Sequence, residues 1–476
     1  MKGYELKDLL AWDARIREAV AKAGLDCFDQ EFELCDHYQM LGYMAYSGMP
    51  SHYPHWSYGK QYEKLKTLYD YGVSGLPYEM VINSNPAIAY LMRDNSLLLQ
   101  ILTIAHVYGH NDFFKNNFTF KATRAELTVE LFKAHAIRVR KYIEDPSLGI
   151  DAVERLLDAA HALSFQRRRN LAIRKLGREE QIKQAMESAQ PKPDQYRKIH
   201  RPVGFQPPDI NKVPLEPEQD ILLFIRDHNP YLAEWEKDLL TIVDEEARSF
   251  LPMIETKIMN EGWASYWHKR ILDSMDLDQG LYLEFLVRHN QVVRPIPGQI
   301  NPYHLGLKIW EDIYRRWTNP TAEEIEQYGA PDRTGEAKLF QVREVERDTS
   351  FIRRYLTPEL ARELDLFKFE PRGNDLVVSE VSDEDGFERV KETLLQNVGT
   401  NSIPVIKVED ADFGQNRTLY LRHYHDGRDL HLEYAEKTLG YVYSLWGREC
   451  ALETVVRGRR ILLIYNDRGF STRTMK

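Results

Sequence analysis

Residues 104–114, IAHVYGHNDFF, set two histidines four apart within an apolar run. Four residues of an α-helix turn through about 400°, so His106 and His110 lie about 40° apart on one face and ~6 Å apart along the axis. Two imidazoles so placed can share one metal ion, the arrangement of the H-E-x-x-H motif. That motif carries a water-activating glutamate after the first histidine, where this chain has Val107. The surrounding apolar pattern predicts one long helix over residues 86–115. Helical periods also predict helices over 58–72, 124–143, 150–176, 219–250 and 252–275.

Upstream, GLPYEMVINSNP (75–86) alternates Tyr78, Met80 and Ile82 with Glu79, Val81 and Asn83, which predicts a short strand. Ser84-Asn85-Pro86 then reads as a turn capping the next helix. QPKPDQYRKIHRPVGFQPPDINKVPLEPEQD (190–220) carries seven prolines and reads as a connector. Past residue 345, DLFKFEPRGNDLVVSEV predicts strand, turn and strand, with Gly373-Asn374 in the turn. A helix is predicted over 384–397. IPVIKVED and TLYLRHYH read as strands, LEYAEKTLGYVYSLWG as a helix stopped by Gly447, and CALETVVRGRRILLIYND as a hairpin about Arg457-Gly458. The expected fold class is α+β. A large, mainly helical domain (1–345) would carry a short edge strand and a zincin-like metal site. A small α+β domain (346–476) would dock or stabilise.

A third ligand is offered by KIMNEGWASYWHKRI (257–271). A carboxylate in an apolar helix must be paired, protonated or bound to a cation. Glu261 would complete a site with His106 and His110, and Gly262 would admit a second backbone closely. Lys257 or Arg270 could instead pair with Glu261 in an ordinary salt bridge. His268, seven residues on, shares the face of Glu261 but lies ~10 Å along the axis, suiting it to a substrate or supporting role. The missing base could be Glu79, His268 or Asp112, although Asp112 is turned about 200° from His110. The aromatic stretch 36–60 brings His52, His55 and Trp56 as candidate pocket walls, joined by Asn83, Asp112, Trp263 and Tyr266.

The bulk numbers narrow the class. A chain of 476 residues suggests two or three domains, and a formal charge of -10 argues against a protein built to neutralise nucleic-acid phosphates. Arg167, Arg168 and Arg169 read as a solvated helix face. Three cysteines without a C-x-x-C fit a reducing cytoplasm. The first residues do not read as a signal peptide: Leu6, Leu9, Leu10, Ile16 and Val20 recur at helical spacing, with Gly24 as the stop. No run approaches the ~20 apolar residues of a membrane span. G-x-x-x-x-G-K-[ST], G-x-G-x-x-G and G-x-S-x-G are all absent.

At MPSHYPHWSYGK, YEMVINSNPAIAYLM, HVYGHNDFFKNN and TKIMNEGWASYWH the chain resembles the stage V sporulation protein R (SpoVR-like) family. NPYHLG (301–306) and LEYAEKTLGYVYSLWGRECALETV (432–455) extend the likeness over nearly the whole sequence. The resemblance implies a cytoplasmic bacterial protein associated with the peptidoglycan of the spore cortex. It also implies a protein partner, a PrkA-type serine kinase. Small pieces are similar to metallopeptidases in which a later E-G-W-A glutamate is the third ligand; Val107 departs from their pattern. The expected function is a metal-dependent amide hydrolase, with zinc as the expected metal, acting on a cell-wall precursor or peptide. The alternatives are a non-catalytic regulator of such a kinase and a non-haem iron or manganese redox protein.

Overall fold

The computed structural model describes residues 4–73, 75–169, 174–189, 208–296, 299–366, 368–372, 375–380 and 386–475. The fold class is α+β, with a large helical N-terminal region and a small C-terminal sheet. Contacts divide the chain into two units, each discontinuous: Met1–Lys141 with Arg248–Ser402, and Tyr142–Ala247 with Ile403–Lys476. The break expected at residue 345 falls inside the first unit, between helices Gly335–Val345 and Asp348–Tyr355.

In the first unit, strands β1 (Gln30–Cys35), β2 (Glu79–Ile82) and β3 (Ala87–Met92) form a sheet of order β1-β3-β2. β1 runs parallel to β3, and β2 antiparallel. The single helix expected over 86–115 is therefore two elements, β3 and a helix Leu97–Asn116. Six apolar residues, AIAYLM, carry no polar face that would separate helix from strand. The turn at Ser84-Asn85-Pro86 returns the chain onto β2 instead of capping a helix. The helix begins later, at Ser96, whose hydroxyl accepts from the Leu99 amide. All of its residues except Leu97 and Lys115 are buried. β1 alternates half-buried and exposed residues up to the buried Cys35, and is an element beyond those expected from the sequence.

Close backbone approach sets the spacing of three helices: Leu97–Asn116, Lys257–Asp273 and Pro302–Thr318. A Cβ on Gly109 would lie 2.6 Å from Ala264 Cα, and one on Gly262 would lie 2.3 Å from the Gly306 carbonyl carbon. Lys257, Asn260, Glu261, Ala264 and His268 fall on one side of their helix, and Gly262 lies about 100° round from Glu261. One face thus meets the histidine helix while the glycine admits the third helix. The expected helix over 252–275 starts only at Lys257, and that over 219–250 is split into Ile221–His228 and Glu234–Glu255. Asp348, 1 % exposed, accepts from the Ile258 and Met259 amides at 2.9 Å each. It satisfies backbone donors that a helix start leaves free. A hairpin of β4 (Lys368–Arg372) and β5 (Asp375–Glu380) forms where expected. Its Gly373-Asn374 turn and residues 190–207 of the connector lie outside the described residues.

The second unit carries β6 (Ile406–Phe413), β7 (Thr418–His423), β8 (Cys450–Val456), β9 (Arg459–Asn466) and β10 (Gly469–Thr474) in the order β10-β9-β8-β7-β6. β7 and β8 are parallel; the other pairs are antiparallel. The helix Leu432–Trp446 stops at Gly447, at φ +71°. Arg457 and Gly458 both take positive φ in the β8–β9 turn, as a primed two-residue hairpin requires. The arginine run 167–169 is not a solvated helix face: the helix ends at Leu163, and Arg167 is 4 % exposed and paired with Asp244 at 3.2 Å. A guanidinium whose neighbours supply a carboxylate and a carbonyl can be buried in spite of its charge. No helix among the described residues is long and apolar enough to cross a membrane.

Candidate metal centre

The close contact at Gly109 and Ala264 brings the expected ligands from two helices together. His110 Nε2 lies 3.4 Å, and His106 Nε2 3.6 Å, from the same oxygen, Glu261 Oε2. Glu79 projects from β2, with its Oε1 4.0 Å from His106 Nε2. One donor atom each from Glu79, His106 and His110 lie within 4.8 Å of one another, a cluster that could hold a metal ion. His106, His110 and Glu261 are all buried. His106 Nε2 and Glu261 Oε2 have no hydrogen-bond partner. Buried polar atoms normally find one, so two orphans face to face fit a site that could take a cation.

Each donor is held from behind. His110 Nδ1 donates to Asn260 Oδ1 at 2.8 Å, so in the neutral ring Nε2 carries the lone pair. His106 Nδ1 lies 2.9 Å from His268 Nδ1, and His268 Nε2 lies 2.8 Å from His289 Nδ1. Glu261 Oε1 accepts from Lys257 Nζ at 2.6 Å, the salt bridge that the sequence offered. The tyrosine of NPYHLG, Tyr303, stacks beside His106 with ring centroids 6.1 Å apart.

The electrostatics differ from group to group. Burial drives His106 down to about 4, and drives His268 well below the ordinary histidine range. Burial also acts against His110, but Glu261 outweighs it and the net shift is upward. Burial would raise Glu261, yet Lys257 and the imidazoles hold it well below the usual carboxylate range. Glu79 lacks a partner of that strength, and burial lifts it to about 7. Burial and the two carboxylates raise Tyr303 well above its ordinary value, so its phenol keeps its proton.

The remaining sequence candidates are scattered. Asp112 is fully buried behind the histidines, bound by Arg343 at 2.6 Å, by Trp263 Nε1 at 2.9 Å and by the Asp26 amide at 2.8 Å. Trp263 belongs to this support and packs on Trp267 and Trp310. Tyr266 accepts from Arg270 at 2.6 Å. In the aromatic loop, His52 contacts the Tyr58 hydroxyl at 3.0 Å, His55 caps helix Trp56–Asp70, and Trp56 is half exposed beneath Lys60. Asn83, past the end of β2, donates to Thr123 at 2.8 Å. His268 stands behind His106, on the ring edge away from Glu261. Asn260, His289 and Tyr303 were not singled out. The only sequence signal for Asn260 was its place one residue before Glu261.

Comparison with known proteins covers most of the chain. Residues 3–403 match the family model "SpoVR like protein", and residues 404–457 match "SpoVR-like C-terminal domain". A protein of Escherichia coli (strain K12), "Uncharacterized protein YcgB", is 34% identical over 465 residues, spanning 90% of this chain and 88% of the relative. No solved structure matches.

Proposed function

The chain belongs to the SpoVR family, and from that premise we propose that it is a metal-dependent amide hydrolase. In this reading His106, His110 and Glu261 hold one divalent ion, and Glu79 moves the proton. The observation that carries it is Glu261 Oε2, buried, without a hydrogen-bond partner and facing both imidazole Nε2 atoms at 3.4 and 3.6 Å. Lys257 pairs with the other oxygen, Oε1, so what stands out is Oε2, since a buried polar atom normally has a partner. Two imidazoles and a carboxylate are a donor set for zinc with a position left open. A bound divalent ion supplies Lewis acidity, polarising a carbonyl and acidifying a water.

The chain's own residues supply the rest. Glu79 comes from the strand beside the histidines and takes the place of the glutamate absent at Val107. Its carboxyl, raised to about 7, can accept and return a proton near neutral pH. Asn260 fixes the His110 ring, and Tyr303 offers a phenolic donor beside the two carboxylates. The sporulation label of the family supports a cell-wall peptide or its precursor as substrate. The same donors suit iron or manganese, so metal identity belongs to the test.

Elemental analysis of untagged protein should find close to one equivalent of zinc. His106→Ala and Glu261→Ala should lose it while melting cooperatively, and zinc-loaded protein should release amine from peptidoglycan peptides. Metal-free wild-type protein, or full metal in both variants, would end the reading.

A further inference from the structure

The two histidine ligands are oriented by partners of different kinds. Behind His110 stands an amide oxygen, which can only accept, so that ring is fixed as Nδ1–H. Behind His106 stands another imidazole, which can donate or accept. The contact His106 Nδ1···His268 Nδ1 holds one proton, and so does the contact His268 Nε2···His289 Nδ1. Burial of all three rings, at 3, 1 and 4 % exposure, favours the neutral forms. Two polarities are open to such a chain. In one, His289 donates to His268, His268 donates to His106, and His106 presents Nε2–H to the carboxylates. In the other every proton points the opposite way, and His106 presents a lone pair.

Only the second polarity allows His106 to ligate. Its Nδ1–H then needs an acceptor in His268, and His268 Nε2–H needs an acceptor in His289. We propose that His289 is a positioning residue of the metal centre: by accepting from His268 it holds His106 in the tautomer that turns a lone pair toward Glu261. The inference rests on the metal-binding reading above. His289 comes from a further helix, Gln279–Val293, so ion binding is coupled to a residue two hydrogen bonds away from the ligand. Reversing the chain is balanced: one proton leaves His106 Nε2 at the site, each ring passes one along, and one enters at His289 Nε2.

The experiment compares zinc affinity, by chelator competition, in full-length wild-type, His289→Phe and His289→Asn proteins. Phenylalanine fills the space without an acceptor, and asparagine keeps an acceptor oxygen near the position of Nδ1. Loss of such a supporting hydrogen bond typically weakens metal binding about 10–100-fold, the effect expected of His289→Phe, with His289→Asn within about threefold of wild type. Selective 15N-histidine labelling of the wild type adds a readout that a packing role would not move. On zinc loading, His268 should carry its proton on Nε2, and His289 likewise. Unchanged affinity in His289→Phe, equal losses in both variants, or a proton on His268 Nδ1 in the zinc-loaded protein would overturn the proposal. Wild-type protein that takes up no zinc would instead overturn the metal reading itself, and this inference with it.

Discussion

Replacing Gly262 by alanine adds one methyl group at the tightest point of the helix packing. Its Cβ would meet the Gly306 carbonyl carbon at 2.3 Å, the Gly306 Cα at 2.5 Å and the Leu307 nitrogen at 2.7 Å, all backbone atoms. Relaxed carbon contacts lie near 3.5–4.0 Å, so the helices must separate by about 1 Å. Overpacking of this kind costs about 1–3 kcal/mol, a fall in melting temperature of about 2–5 °C for a unit of this size. Glu261 is the neighbouring residue, and a metal site tolerates displacements of about 0.2 Å. Gly262→Ala should therefore also weaken zinc binding. Gly42 is the control: it lies within helix His37–Ala45, and a Cβ there meets nothing within 4 Å. Gly42→Ala should stabilise by about 0.5–1 kcal/mol through helix propensity and leave zinc binding alone. Differential scanning fluorimetry with a chelator titration reads both effects. A Gly262→Ala protein that melts and binds zinc like wild type would show that the close approach does not set the site.

Glu79→Gln should keep metal content but lose about 10²–10⁴-fold in hydrolysis. Burial raises Glu79 to about 7 in the metal-free protein; it works ionised and a bound dication lowers it, so activity should fall only as pH drops through a value below that. A full-rate Glu79→Gln enzyme would remove Glu79 from the chemistry. Arg343→Met strands the buried Asp112 charge and should destabilise by about 3–5 kcal/mol in urea, with part recovered by adding Asp112→Asn; an unchanged midpoint would contradict the pairing. Asp348→Ala leaves the Ile258 and Met259 amides without acceptors and should cost about 1–2 kcal/mol by chemical denaturation. A smaller loss than that of a surface alanine control would show the cap to be dispensable.

The three proposed ligands were readable because helical period alone puts His106 beside His110 and sets Glu261 on an apolar helix. Gly262 could be read as a point of backbone approach for a similar reason, since a glycine inside a helix needs an explanation. What the sequence hid depends on neighbours distant in the chain. AIAYLM is as apolar as a buried helix and becomes a strand because β1 and β2 flank it. QEFELC carries two acids and reads as surface until β3 pairs with it. Tyr303 and His289 reach the centre only through packing of the helices Pro302–Thr318 and Gln279–Val293, which no local pattern records.

The histidine helix is buried on every side, yet the helix that meets its Gly109 at Ala264 follows about 155 residues later in the sequence. Ribosomes add roughly 5–20 residues per second, so an apolar rod bearing both imidazoles waits roughly 10–30 s for that partner helix. During synthesis that rod is a sticky intermediate, and its histidines are open to any passing transition metal. The centre therefore closes only once the glutamate's own helix has been made, whatever order the rest of the unit follows.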